Sequence, residues 1–299
     1  MKLKLVLFFV ILVCLGRAKV AAQADTNVYY HGEFKNGARV FLFADKVNVR
    51  NADAPTGVIV GNLRIATPLT IISKSEETFE LNGMLANWYL VGYYDSKDVY
   101  CQGYVWGNLI SFATVQFTEN GSSYYFLCAP TSKIKEGDFT MTVKIVSNEA
   151  IVTSLDFRPI YTEMSSSAAF TYGVSASKLD KGGFSNVSKL VALNFEYGAC
   201  GYNNGDVLFF WNGSKLVEFA KATRVSEAGL YNVSYTLVFP QDAGGRANTL
   251  FVNQRNLQYD PDSDDARVTS DITYRYTYTW TGSAVVASEQ VEKILNQKK

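Results

Sequence analysis

Three aspartates at alternating positions, Asp260, Asp262 and Asp264, form the sharpest chemical pattern in the chain. A loop with carboxylates at this spacing can direct several oxygens towards one point, which a calcium ion requires. The loop lacks the turn glycine and the distal glutamate of an EF-hand, so it matches a calcium motif only in part. We therefore expect either a calcium site or an ordinary solvated acidic loop, and no other cofactor.

Paired carboxylates for hydrolysis are a second chemical option. The acids that could supply them are Glu196, Asp206, Glu218 and Asp242. A glycoside hydrolase needs two carboxylates at a defined separation, and nothing in the spacing of these acids selects a pair. Glu196 and Asp206 flank a glycine-rich turn, where acids commonly serve the turn itself. A cell-wall hydrolase is therefore the alternative function, and a protein without catalytic activity is the main expectation.

Histidine and cysteine chemistry is limited by residue counts. The only histidine, His31, excludes a two-histidine zinc site, and no cysteine motif accompanies it for a cysteine peptidase. Beyond Cys14 the chain has three cysteines, Cys101, Cys128 and Cys200, so one thiol must stay unpaired. One disulfide is an option, with Cys128 and Cys200 as its pair because both lie in one predicted domain, and three small buried thiols are an equal alternative.

The first 24 residues are typical of a secretory signal peptide. Lys2 and Lys4 precede an apolar run over residues 5–16, and Ala22-Gln23-Ala24 forms a small-x-small cleavage pattern. The run is shorter than the roughly 20 residues that cross a membrane, and no later segment is long and apolar enough. We expect cleavage near Ala24 and a periplasmic or secreted protein.

The charge balance argues against nucleic acid as a partner. The chain has 28 Lys+Arg and 28 Asp+Glu, and its first 24 residues contain four basic and no acidic residues. Removal of that segment leaves 24 basic and 28 acidic residues. A net negative chain lacks the basic surface that non-specific nucleic-acid binding needs.

Strand patterns dominate the rest of the chain and predict an all-β fold. The predicted strands include residues 58–60, 69–72, 88–91, 139–146, 190–197, 207–211, 231–239 and 274–280. Asn204-Gly205 predicts a hairpin turn, and two W-x-G-S segments beginning at Trp211 and Trp280 predict a repeated hairpin. Only residues 288–296 predict a helix, which would be short and C-terminal.

A change of pattern near residues 112–121 divides the chain after the signal peptide of residues 1–24. We predict a small barrel over residues 41–112 and a larger antiparallel β domain over residues 114–286, either propeller-like or a sandwich. Residues 287–299 would form the C-terminal helix and tail.

Four short motifs follow one another in the first domain. They are Val47-Asn48-Val49-Arg50, Val58-Ile59-Val60-Gly61 with Leu63, Trp88-Tyr89-Leu90-Val91, and Gly103-Tyr104-Val105-Trp106-Gly107. This ordered set resembles the bacterial SH3 domain, a small barrel common in exported bacterial proteins. Residues 73–87 and 95–102 are longer than is usual there. The second domain resembles an uncharacterised β domain that follows such modules in exported proteins of Bacteroidota-type bacteria.

The resemblance implies a ligand groove and a role in the cell envelope, because such modules bind cell-wall peptides or other extended ligands. The residues that would line the groove are Arg50, Tyr93, Tyr94, Tyr100 and Trp106. The aromatic rings would stack on the ligand and the arginine would pair with a carboxylate, while core packing is the alternative for Trp106 and two of the tyrosines. We therefore expect an exported, non-catalytic binding protein that recognises cell-wall peptide, peptidoglycan or an envelope protein.

Overall fold

The computed structural model describes residues 33–133, 139–160, 173–262, 265, 267–288 and 290–295. Within these residues the chain forms β-strands, one 3₁₀ turn at Gly107–Leu109 and no α-helix, so the all-β prediction is confirmed. The strands form three antiparallel sheets. No helix in this part of the chain is long and apolar enough to span a membrane. The predicted signal peptide and His31 lie outside the described residues.

The first sheet has six strands in the order β1-β4-β5-β6-β2-β3. These strands are β1 (Arg39–Phe41), β2 (Val47–Arg50), β3 (Ile59–Leu63), β4 (Pro68–Leu81), β5 (Met84–Tyr94) and β6 (Tyr100–Trp106). In β2 the side chains alternate between buried Val47 and Val49 and half-buried Asn48 and Arg50, as its sequence predicts. The strand β3 is one edge of this sheet and pairs with β2.

The second sheet has four strands in the order β10-β9-β8-β7. These strands are β7 (Ala113–Glu119), β8 (Ser122–Lys133), β9 (Phe139–Ser147) and β10 (Ala150–Phe157). One face of this sheet completes the core of the first sheet, because Leu127 and Val146 pack with Leu42 and Ile71. The first and second sheets therefore share one hydrophobic core.

The third sheet contains the remaining nine strands. These are β11 (Gly173–Leu179), β12 (Lys189–Glu196), β13 (Asn204–Trp211), β14 (Leu216–Glu227), β15 (Tyr231–Val238), β16 (Thr249–Tyr259), β17 (Val268–Trp280), β18 (Val285–Ala287) and β19 (Glu292–Leu295). They pair in chain order as far as β18, and β19 pairs with β17.

Strands β12 and β13 are buried on both faces, which explains their continuous apolar runs. Phe209 and Trp211 pack against the second sheet, where the Trp211 indole Nε1 donates to Glu119 Oε2 at 3.0 Å. Phe210 faces the other way and packs with Phe219 and Trp280. The third sheet therefore folds back so that its later strands cover the far face of its earlier ones.

The two W-x-G-S segments form the same hairpin turn, as predicted. The first turn joins β13 to β14 and the second joins β17 to β18, with Trp211 opposite Leu216 and Trp280 opposite Val285. Gly213 has φ +98° and Gly282 has φ +95°. A side chain is strained in this conformation, so a glycine is required at the same place in both turns.

Two local predictions are corrected. Asn204 and Gly205 are the first residues of β13 and not the turn before it, because the Asn204 side chain closes the preceding loop by accepting a hydrogen bond from the Tyr197 backbone. The predicted C-terminal helix is wrong where the chain is described, since Glu292–Leu295 is β19. Residues Ile272–Arg275 of β17 offer this segment a backbone ladder, and an isolated helix of this length is marginal in water.

Of the two options for the cysteines, the disulfide between Cys128 and Cys200 is not formed, because Cys101, Cys128 and Cys200 are free thiols. Cys128 is fully buried between the second and third sheets, whereas Cys200 is exposed in the loop between β12 and β13. Burial raises the pKa of the Cys128 thiol well above its usual value, which suppresses the reactive thiolate.

We expect a thiol reagent to label Cys200 rapidly in the native protein and Cys128 only after unfolding. The Cys200→Ser variant should lose the fast phase, and Cys128→Ser should keep it. The measurement is labelling kinetics with and without denaturant. Equal native labelling of both thiols would contradict the burial of Cys128.

Candidate functional site

An open groove of about 690 Å³ lies between the first and second sheets. Val60 and Gly61 line it from β3, and Tyr93 and Tyr94 line it from β5. The second sheet contributes residues on and beside its strands, among them Ser123, Tyr125, Asn148 and Glu149. The volume falls in the range of sites that hold a ligand of several hundred daltons.

Two exposed tyrosines stand at this groove as a pair. Tyr94 ends β5 and Tyr100 begins β6, directly opposite each other, with ring centroids 5.5 Å apart in an edge-to-face arrangement. Tyr94 is 65% exposed and Tyr100 is 50% exposed. Gly92 allows this placement, because a Cβ there would collide with the Tyr100 hydroxyl. Paired, solvent-facing rings are suited to stacking on a ligand.

A tight loop fixes the pair from the side. The Asp95 carboxylate accepts hydrogen bonds from the backbone nitrogens of Val99, at 2.9 Å, and Lys97, at 2.8 Å. These hydrogen bonds lower the pKa of Asp95 below its usual value, and the bond from Val99 has the larger effect. The turn between β5 and β6 is therefore held closed, and it presents both tyrosines without a long mobile loop.

The edge strand β3 forms another side of the site. Val58 precedes this strand and Ile59 and Val60 begin it; all three are exposed and apolar without an intervening charge, and Val60 lines the groove. Natural proteins usually protect such an edge with charges, proline or a covering segment. An extended peptide can add to an unprotected edge through backbone hydrogen bonds, with pockets selecting its side chains.

An arginine connects the two walls of the groove. The Arg64 guanidinium donates to Asp45 Oδ1 at 2.8 Å and to the Glu149 carbonyl at 3.3 Å. Asp45 also accepts a hydrogen bond from the Ile65 nitrogen. These contacts join the segment after β3 to the turn between β9 and β10, so they tie the two walls of the groove to each other.

The five predicted ligand residues do not lie together. Tyr93 and Tyr94 line the groove with Tyr100 beside them, and Tyr93 is at the same time buried in the core. Trp106 is only 4% exposed and its indole donates to the carbonyls of Phe79 and Ala86, at 3.0 and 3.1 Å. The core alternative therefore holds for Tyr93 and Trp106.

Arg50 faces a different side of the first sheet. Its Nη1 donates to the Gly57 carbonyl at 2.6 Å and thereby closes the loop between β2 and β3. Arg50 and Trp106 both line a smaller cavity, separate from the groove that Tyr94 lines.

Each of the four acids considered for hydrolysis has a local partner. Asp206 accepts hydrogen bonds from Asn194, at 2.9 Å, and from the Tyr235 hydroxyl, at 2.6 Å. Burial of the Tyr235 hydroxyl raises its pKa, and the negative charge of Asp206 raises it further. Glu196 forms an ion pair with Arg224 at 3.8 Å, and Glu218 forms one with Lys221 at 3.3 Å. Asp242 accepts a hydrogen bond from the Phe239 backbone nitrogen at 2.8 Å.

The calcium prediction falls partly outside the described residues, because Asp264 lies there. Asp260 Oδ1 accepts a hydrogen bond from the Asp262 nitrogen at 3.2 Å, which is an ordinary turn contact. Within the described ranges no group of three or more His, Cys, Asp or Glu side chains is placed to hold a metal ion.

Sequence reasoning missed the walls of the groove. The uncharged run Val58-Ile59-Val60 carried a signal, since an apolar strand without charges indicates an edge that something covers. Tyr125 and Glu149 carry no such sequence signal, because they line the groove only as a result of the packing of one sheet on another. No protein-family model matches the chain, and no curated protein or solved structure shows significant similarity to it.

Proposed function

We propose that this protein is an exported, non-catalytic binding protein of the cell envelope, and that its first domain is an SH3-like module which holds an extended peptide. The peptide lies in the groove between the first two sheets, as part of peptidoglycan or of an envelope protein. The exposed Tyr94–Tyr100 pair at a groove of about 690 Å³ is the observation that carries the proposal.

The chemistry of the groove favours an extended, partly apolar ligand. The tyrosine pair offers stacking surface, and the edge of β3 offers backbone hydrogen-bonding groups next to Val60. Backbone pairing and ring stacking in an open groove give modest affinity, which a polymeric ligand raises by presenting many copies.

The alternative function is a cell-wall hydrolase with its carboxylates in the third sheet. A binding role is favoured because Glu196, Glu218 and Asp242 are engaged in ion pairs or turn contacts, and Asp206 accepts two hydrogen bonds. A hydrolase would need one of these acids to be released and protonated near neutral pH.

Co-sedimentation with purified peptidoglycan sacculi tests the proposal and its alternative together. We expect the protein to sediment with sacculi, to be displaced by soluble wall peptides, and to release no fragments into the supernatant. Fragment release that disappears in an Asp206→Asn variant would establish the hydrolase instead. Retention that soluble wall peptides do not compete would overturn peptide recognition.

A further inference from the structure

A second cavity, of about 230 Å³, lies on another side of the first sheet. Phe79 and Leu81 line it from β4, and Trp88 and Trp106 line it from β5 and β6. The two indoles are directly opposite each other in the strand pairing, and the Phe79 ring packs on both, with centroids 6.2 and 5.6 Å away. The cavity therefore has an aromatic wall.

One polar group in this wall lacks a partner. Trp106 Nε1 donates to two backbone carbonyls, whereas Trp88 Nε1 is buried and has no hydrogen-bond partner among the described residues. Trp88 is only 4% exposed. A buried N–H without an acceptor is destabilising and rare. Because the nitrogen itself is buried, a ligand acceptor reaches it only when the indole wall shifts.

Two cations line the same cavity. The Arg50 guanidinium donates one N–H to Gly57, which leaves further donors of the group for a ligand. Lys46 also lines the cavity, and no ion pair of Lys46 or Arg50 is seen in the described part of the chain. The one acid in the wall, Asp45, is already paired with Arg64.

We propose that this cavity binds the C-terminal residue of a peptide that ends in an apolar side chain. The side chain packs against Phe79 and the indoles, and the carboxylate accepts hydrogen bonds from Trp88 Nε1 and from Arg50. A volume of about 230 Å³ suits a single residue, since it lies below the roughly 300–1,000 Å³ of sites for larger ligands. This site is separate from the groove of the proposed function and does not depend on it.

The test uses two small probes that differ in one group, N-acetyl-L-phenylalanine and its C-terminal amide. Each is titrated into ¹⁵N-labelled protein, and the indole N–H signals of the four tryptophans are followed. The Trp88 signal is assigned by its absence in Trp88→Phe. We expect a saturable shift of the Trp88 signal, with the acid binding at least about tenfold more tightly than the amide, as a charge-assisted contact requires.

Arg50→Gln is expected to abolish the preference for the acid, and Arg39→Gln is a matched control that keeps it, since Arg39 does not line the cavity. If Trp88→Phe does not fold, Arg50→Gln and Arg39→Gln still decide the result. Equal affinity for acid and amide, a shift of other indole signals alone, or no saturable shift would overturn the proposal. Tyr94→Ala should leave this binding unchanged, so failure here and failure of the groove are distinguishable.

Discussion

Phe209→Ala is expected to lower the free energy of unfolding by about 3–5 kcal/mol. Phe209 is fully buried in β13, where it faces the second sheet. Its ring packs with Phe126 at 5.7 Å and with Phe157 at 5.1 Å between centroids. Truncation therefore removes contacts with two strands of the neighbouring sheet and leaves a cavity that close-packed strands cannot fill. Denaturation with urea, followed by circular dichroism, measures the loss.

A matched exposed position separates this effect from a general sensitivity to substitution. Val286→Ala in β18 changes an exposed side chain, and we expect it to alter the free energy of unfolding by less than about 0.5 kcal/mol. A loss below about 1 kcal/mol for Phe209→Ala would contradict the packing of the third sheet on the second.

The double variant Tyr94→Ala/Tyr100→Ala is expected to weaken binding to sacculi by at least about thirtyfold. Tyrosine is enriched among the hot-spot residues of interfaces, whose truncation to alanine costs about 2 kcal/mol or more. The free energy of unfolding should fall by only about 1 kcal/mol, since a cross-strand pair contributes no more than that. Sedimentation over a range of protein concentrations gives the affinity, and urea denaturation gives the stability.

Leu230→Ala/Val286→Ala is the control for this prediction. These side chains are also exposed and apolar, but Leu230 lies in the turn between β14 and β15, Val286 lies in β18, and neither lines the groove. We expect this variant to bind sacculi as the unmodified protein does. Equal weakening in both double variants would indicate non-specific apolar adsorption, and an unchanged affinity in Tyr94→Ala/Tyr100→Ala would remove the tyrosine pair from the site.

Strand positions could be predicted from the sequence because side-chain alternation is local. In β5 the residues Tyr89, Val91 and Tyr93 share one face, and all three are buried. The same parity could have predicted that Tyr93 belongs to the core and that Tyr94 faces outward. Alternation says nothing about which other strand covers a face, and this is why the sequence left both a groove position and a core position open for Trp106.

Long-range pairing could not be predicted in the same way. The segment Glu292–Leu295 is short enough to favour either a helix or a strand, and the decision comes from the edge of β17 that it meets. The groove has the same origin, since Glu149 meets Arg64 across more than eighty residues of sequence. A single sequence carries no signal for such a contact. The candidate site can therefore be recognised only in the structure, where the two sheets are seen packed together.

A titration of ¹⁵N-labelled protein with soluble peptides from digested peptidoglycan distinguishes a binding groove from a catalytic site. We expect saturable chemical-shift changes at the backbone amides of Val60, Tyr94, Tyr100 and Glu149, which lie in or beside the groove, and intact peptides at the end of the titration. Shift changes that centre on Asp206 and Tyr235, or cleavage of the peptides, would contradict a binding groove between the first two sheets.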